Sequence, residues 1–149
     1  MIILNKTAIA ELIPHADEIV LLDSCILSSA EGLTCISNSH TDKNNPLRNA
    51  NGLSATSGVE YAAQAIAVHA ALQNNKNTGQ GLLVACKNII CRLRYLDTIA
   101  TEIQIQVEHI GGSVELGVLQ YKFHINASGK VQKLISGELS IAITKEDIK

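Results

Sequence analysis

The chain of 149 residues carries 12 Lys and Arg against 14 Asp and Glu, a formal net charge of −2 with a pI near 6.2. That length fits one domain, residues 1–149, large enough to bury roughly 70% of its unfolded surface with no cofactor or metal to fold around. The balanced charge, three Tyr, one Phe and no Trp exclude a basic, aromatic nucleic-acid surface. No stretch reaches the ~20 apolar residues of a membrane span, so the expectation is a cytoplasmic protein that uses neither nucleic acid nor membrane.

Thr7 to Ile13 predicts a short amphipathic helix with Thr7 as its cap and Pro14 as its stop. Ile19–Leu27 and Leu33–Ser39 read as two strands of a hairpin turning at Ser29–Gly32, and His40–Leu53, rich in Asn and holding Pro46 and Gly52, reads as a loop. Ser54 to Gln73 is different. Its apolar residues, among them Val59, Tyr61, Ala62, Ala65, Ile66, Val68 and Leu72, run right round the helix they would form. Such a helix has to be enclosed. Glu60 and Gln64, four residues apart, share a face with Ser57, Ala63, Ala67 and Ala71, and this polar or small face outlines a groove. Asn74–Gly79 closes the helix.

From Gly81 onward the chain is strand-like. Gly81–Arg94 is a long run, bent or broken near Lys87-Asn88; Thr101–Ile110 alternates Ile103, Ile105 and Val107 against Glu102, Gln104, Gln106 and Glu108. Gly111-Gly112-Ser113 predicts a turn, after which Leu119, Tyr121, Phe123 and Ile125 alternate with Gln120, Lys122, His124 and Asn126. A last strand is expected over Val131–Ile143, with a bulge at Gly137. One antiparallel sheet wrapped around one long helix satisfies this order, because the sheet's apolar face covers the helix while the other stays wet. This is the α+β hotdog architecture. It leaves edge strands bare, and pairing of two sheets into a dimer is the expected remedy.

Two stretches resemble the β-hydroxyacyl-(acyl carrier protein) dehydratases of the hotdog superfamily. Ile13-Pro14-His15-Ala16-Asp17-Glu18-Ile19-Val20-Leu21-Leu22-Asp23 is similar to that family's opening Pro-His and apolar run ending in Asp, and Glu60-Tyr61-Ala62-Ala63-Gln64 resembles its E-x-x-A-Q helix motif. Asn49-Ala50-Asn51-Gly52 and Gly81-Leu82-Leu83 resemble the branch associated with aryl-polyene biosynthesis. The departure is equally informative. The family's Gly-His-Phe-Pro, about fourteen residues ahead of the glutamate, is replaced by Asn44-Asn45-Pro46-Leu47-Arg48, and His40 lies too early to stand in.

The resemblance implies dehydration of 3-hydroxyacyl thioesters in fatty-acid or polyene-type biosynthesis, the substrate riding on the phosphopantetheine of acyl carrier protein or on CoA, with no other cofactor. It implies Glu60 as the catalytic carboxylate, with Gln64 in support and Gly58 as an N–H donor at the helix start; Ser57, on the same helix face, reads beside them as a substrate-binding residue. Dehydration needs a base at C2, an acid at the departing hydroxyl and donors at the thioester carbonyl. In the family these come from two protomers, so a homodimer of this chain would hold Glu60 twice and no base, whereas a heterodimer with a histidine-bearing hotdog subunit would complete one site. A hotdog thioesterase, which needs no histidine, and a non-catalytic acyl-binding or partner subunit are the alternative functions.

Structural roles compete for the same residues. Ser57-Gly58-Val59-Glu60 also fits a capping box, and Gln64 also suits a buried backbone group. His15 shapes the opening loop, His69 packs partly buried, and His109 and His124 sit on solvent-side strand positions; none has a partner at ligand spacing, so no metal is expected. Cys25, Cys35, Cys86 and Cys91 match no zinc spacing and read as free structural thiols of a reducing compartment. Lys87, Arg92 and Arg94 are either a solvated strand end or a surface that meets an acidic carrier protein.

Overall fold

The computed structural model describes residues 2–13, 20–74 and 80–144. The predicted Pro-His opening and the Asn-rich close of the central helix fall largely outside these residues. The chain order is β1 (Leu4–Asn5), α1 (Lys6–Leu12), β2 (Ser24–Ser28), β3 (Gly32–Ser37), α2 (Gly58–Gln73), β4 (Gln80–Cys91), β5 (Ile103–Ser113), β6 (Val118–Ala127) and β7 (Ile135–Thr144). Single 3-10 turns at Ser39–Thr41, Ala55–Ser57 and Leu96–Thr98 punctuate the loops. All seven strands form one antiparallel sheet in the order β1-β2-β3-β5-β6-β7-β4. The sheet wraps α2, which packs chiefly on β5, β3 and β6 while α1 lies against it. The hotdog fold is thus the one the hydrophobic pattern predicts.

The period-two alternation builds the core. Ile103, Ile105 and Val107 of β5 stand beside Ile125, Phe123 and Tyr121 of β6 and Ile135 and Leu139 of β7, all buried, and meet Tyr61, Ala62, Ala65, Ile66 and Val68 of α2. Each fully covered Ile or Leu contributes about 1.5–3 kcal/mol. Small residues on the helix let it approach. A β-carbon added at Gly58 would lie 2.9 Å from Ile135 Cδ1 and 3.0 Å from Ile125 Cδ1.

Several boundaries differ from the sequence reading, each for a local reason. Helix α1 is capped by Asn5, whose Oδ1 accepts from Ala8 N–H at 2.9 Å, and not by Thr7. Pairing of Leu4–Asn5 with β2 holds Asn5 extended, the conformation a cap requires. β2 starts at Ser24, because just ahead of it Leu21 spends its N–H and C=O on side chains of other elements, and only from Asp23, whose N–H binds Ile36 O at 3.0 Å, does the chain meet β3. Gly111-Gly112-Ser113 is no turn: β5 continues through it, shifts register at His109/Gly111, and turns at Val114–Gly117. The bulge expected at Gly137 lies across the ladder, in β4 between Lys87 and Ile90, where Asn88 takes φ 57. Gly137 leaves room for the bulged Ile89, whose Cδ1 would collide with a β-carbon there. The break expected near Lys87-Asn88 is this bulge. The last strand begins at Ile135, and Val131 is fully exposed.

The two sheet edges differ. β1 is two residues long and self-limiting, but β4 offers twelve residues of edge with Leu82, Val84 and Ile90 more than half exposed. A long apolar edge invites another strand.

Gly112 has φ 73, and a β-carbon on it would run into the Val118 carbonyl oxygen. Gly112→Ala should therefore lower stability by about 2 kcal/mol or more in urea denaturation, with Gly129→Ala, at φ 82 in open space, losing clearly less.

Candidate functional site

Helix α2 is covered on all sides but one. Tyr61, Ala62, Ala65, Ile66, Val68, Ala70 and Ala71 are buried, whereas Glu60 is exposed and Ser57, Val59, Ala63, Gln64 and Ala67 are only half-buried. The polar and small face expected from the sequence is this one, except that it ends at Ala67, Ala71 lying in the core. Among the described residues nothing hydrogen-bonds or ion-pairs with the Glu60 carboxylate, so it is presented outward from the helix's first turn.

The capping box is not formed. Ser57 already has helical angles, φ −61 and ψ −19, and makes no capping bond, because the helix begins one 3-10 turn earlier with Ser54 as its cap. This disposes of the competing structural role for Glu60. It also changes Gly58: its N–H points to the Ala55 and Thr56 carbonyls, so it is committed inside the helix and its contribution is close packing. The other N–H groups of the turn are likewise engaged, Ala55 to Arg94 O at 2.9 Å, Ser57 to Ser54 O at 2.9 Å and Thr56 to Ser54 Oγ at 3.4 Å. The last is long and the most easily displaced.

Gln64 is anchored. Its Oε1 accepts from Leu21 N–H at 2.8 Å, and the Leu21 carbonyl accepts from Ser37 Oγ at 2.5 Å and Ser39 Oγ at 2.7 Å. Since Ser39 spends its one proton there, it accepts from the buried Tyr61 hydroxyl at 2.7 Å, and that hydroxyl accepts from Asn45 Nδ2 at 3.0 Å. Burial, opposed by these bonds, holds the Tyr61 phenol above its ordinary pKa. Asn45 also donates to Ser39 O and accepts from Leu47 N–H, making the turn at Pro46. The stretch that carries histidine in the dehydratases is here strapped to α2 by an asparagine. Asn45, Ser39 and Tyr61 were not singled out in the sequence; the signal was an Asn-Pro turn ahead of the helix. Arg48 pairs with Asp97 at 3.1 Å, and Asp97 accepts from Leu53 N–H at 3.0 Å, which fixes the Asn49–Gly52 turn.

Three of the described histidines are engaged elsewhere. His40, wholly buried, contacts Ile99 O through Nε2 at 3.0 Å, and among the described residues its Nδ1 meets no hydrogen-bond partner within range. His69 is fully buried and not partly so: Nε2–H donates to Ser29 O at 2.9 Å, leaving Nδ1 to accept from Tyr121 O–H at 2.6 Å. His109 Nε2 bonds Gly112 O at 3.0 Å, and His124 stands on β6. His15 lies outside the described residues. All four cysteines are free, Cys25 and Cys35 buried as a cross-strand pair, Cys86 and Cys91 exposed on β4. Among the described residues no group of three His, Cys, Asp or Glu is placed to hold a metal, and no helix is long and apolar enough to cross a membrane.

The family model for ApeP-like proteins, described as ApeP dehydratase, matches residues 7–148, and the chain belongs to that family. Among solved structures it is similar to the dehydratase heterocomplex ApeI:P from Xenorhabdus doucetiae, at 20% identity and TM-score 0.78 over 93% of this chain and 91% of that one. It is also similar to a mutant thioesterase from Pseudomonas aeruginosa, at 15% identity and TM-score 0.62 over 95% and 88% of the two chains. A mutant thioesterase from Staphylococcus aureus matches at 14% identity and TM-score 0.62 over 83% and 93%. At these identities the likeness is of fold. A comparison with curated proteins finds no match.

Burial lowers the His40 and His69 pKa values below the ordinary 6.5. A base whose folded pKa is depressed contributes stability that is complete above its unfolded value and is lost as pH falls through the folded one. Urea midpoints should therefore hold from pH 8 to 7 and decline below about 6.5, with both imidazoles titrating below that value by NMR. Titration of both at or above 6.5 would contradict the buried neutral state.

Proposed function

We propose that this chain is the carboxylate-bearing subunit of a two-subunit dehydratase acting on 3-hydroxyacyl thioesters in fatty-acid or polyene-type biosynthesis. The observation that carries the reading is Glu60, exposed at the start of α2 on the helix's uncovered face, with His40, His69 and His109 bonded elsewhere and His124 out on β6. A site with the acid but not the base calls for a second hotdog subunit. The bare β4 edge is where its sheet would join, and the uncovered face of α2 is where its base-bearing loop would come to lie. The name of the Xenorhabdus heterocomplex supports a mixed pair.

The division of labour follows from the reaction. A histidine on the partner takes the C2 proton, the C3–O bond breaks as the enoyl double bond forms, and Glu60 delivers a proton to the departing hydroxyl, which leaves as water. Ser57 and the Gln64 amide border the thioester, and the narrow Ala63–Ala67 face accommodates its chain. The weakly held Thr56 N–H replaces Gly58 as the candidate donor to the thioester oxygen. The substrate arrives on the phosphopantetheine of acyl carrier protein or CoA, and no resident cofactor is required.

The mixed complex should convert a 3-hydroxyacyl thioester to the enoyl product, and Glu60→Gln in this chain should slow that by about 10²–10⁴-fold without lowering the melting temperature. Mass spectrometry of the acyl product decides the class. Free thiol without water loss would assign a thioesterase instead, and an unchanged rate in Glu60→Gln would leave a scaffolding subunit.

A further inference from the structure

We propose that Cys25 and Cys35 are a redox site, a buried dithiol that a peroxide converts reversibly into a disulfide clamping β2 to β3. It stands apart from the function proposed above, because no step of it passes through Glu60.

The sheet register brings the two thiols together. Cys25 of β2 stands directly opposite Cys35 of β3 in an antiparallel pair. Residues so opposed have α-carbons about 4.5–5.5 Å apart and side chains on one face, inside the ~4.4–6.8 Å that a disulfide spans. Both side chains turn into the core, where Cys35 stands beside Ile105 of β5, and both are wholly buried. Closing the bond therefore requires no slip of one strand past the other. Cys86 and Cys91 lack this arrangement, being exposed on β4 opposite Leu139 and Ile135 of β7.

The two thiols are chemically unequal. The Cys35 thiol beside it lowers the Cys25 pKa against the opposing effect of burial, whereas Cys35 is pushed far up by Cys25 and by burial. Cys25 is thus the thiol that reacts first, and Cys35 the one that resolves the product. The Cys25 sulfur attacks a peroxide oxygen, the O–O bond breaks, and one water departs to leave a sulfenic acid on Cys25. The Cys35 sulfur then attacks the Cys25 sulfur, and the hydroxyl leaves with the Cys35 proton as a second water while the S–S bond forms. Two thiols lose two electrons and two protons, and one peroxide becomes two waters. A dithiol reductant restores both thiols by exchange.

Access runs through the sheet edge. On its outer side β2 is covered by β1, two residues long and paired only as Leu4 with Cys25 and Asn5 with Ser24. Ile3 N–H adds one bond to the Cys25 carbonyl at 2.7 Å. So short an edge opens at far lower cost than the core, and peroxide is small enough to enter by it. The clamp also bears on α2. Just past Cys35 on the same strand, Ser37 Oγ donates to the carbonyl of Leu21, whose N–H holds Gln64. A covalent bond at Cys25 and Cys35 stiffens the hairpin on which that anchor hangs.

The test uses the full-length chain, first reduced, then treated with hydrogen peroxide, with disulfides mapped by mass spectrometry of peptides under non-reducing conditions. A Cys25–Cys35 crosslink should form in most chains and vanish with dithiothreitol, and hydrogen exchange at the β2 and β3 amides should slow several-fold while it is present. Cys86→Ser/Cys91→Ser should oxidise in the same way. In Cys35→Ser, Cys25 should stop at the sulfenic acid and be trapped by dimedone. Absence of the crosslink in folded wild-type protein overturns the proposal, as does its appearance only after unfolding in urea. Crosslinks that join the four cysteines indiscriminately overturn it too, since they would mark chance oxidation without a built pair.

Discussion

A helix that is apolar around its whole circumference must be covered on every side, and the fold is arranged by that requirement. The sheet supplies most of the cover for α2, through the inward residues of β3, β5 and β6, and α1 closes part of the rest. What remains bare is the strip from Ser57 to Ala67, too small and too polar to demand burial within one chain, yet flanked by core. Glu60 lies on that strip because the helix starts early: the 3-10 turn capped by Ser54 makes Ser57 an interior residue and releases Glu60 from a capping duty it would otherwise perform.

The second constraint is the Leu21 peptide. Its N–H and C=O are both spent on side chains, Gln64 on one side and Ser37 and Ser39 on the other. A peptide so bound cannot join a ladder, which is why the strand predicted from Ile19 begins only at Ser24. Through Ser39, Tyr61 and Asn45 the same network reaches the loop ahead of α2. Gln64, which from the sequence fits either a substrate amide or a satisfier of buried backbone, is held in place through its Oε1 on the Leu21 N–H.

Long-period features were legible in the sequence and short-range ones were not. The buried helix, the alternation of β5 and β6 and the wrapped sheet follow from patterns repeated over ten or more residues, where no single contact can overrule the sum. The Gly111 turn and the Gly137 bulge misled because a glycine records that space is short or φ unusual without saying whose chain is bent. At Gly137 the irregularity belongs to Asn88 and Ile89 on the neighbouring strand. Glu60 was singled out through the resemblance to a family motif, since the local sequence by itself favoured a cap. Asn45 and Ser39 escaped notice because their importance lies in partners sixteen and twenty-two residues away at Tyr61.

The state of the helix start bears on how the proposed reaction divides between subunits. An oxyanion gains most from donors that are unsatisfied before it arrives, and here Ala55, Ser57 and Gly58 each hold an internal acceptor while Thr56 holds Ser54 Oγ only at 3.4 Å. A thioester oxygen can win just one of these from the protein, and the helix dipole behind it adds a modest field. Under the proposed function this chain therefore contributes less through its backbone than through one carboxylate. Orientation of the carbonyl and removal of the C2 proton then fall to the partner, which makes the complex asymmetric in chemistry as well as in sequence.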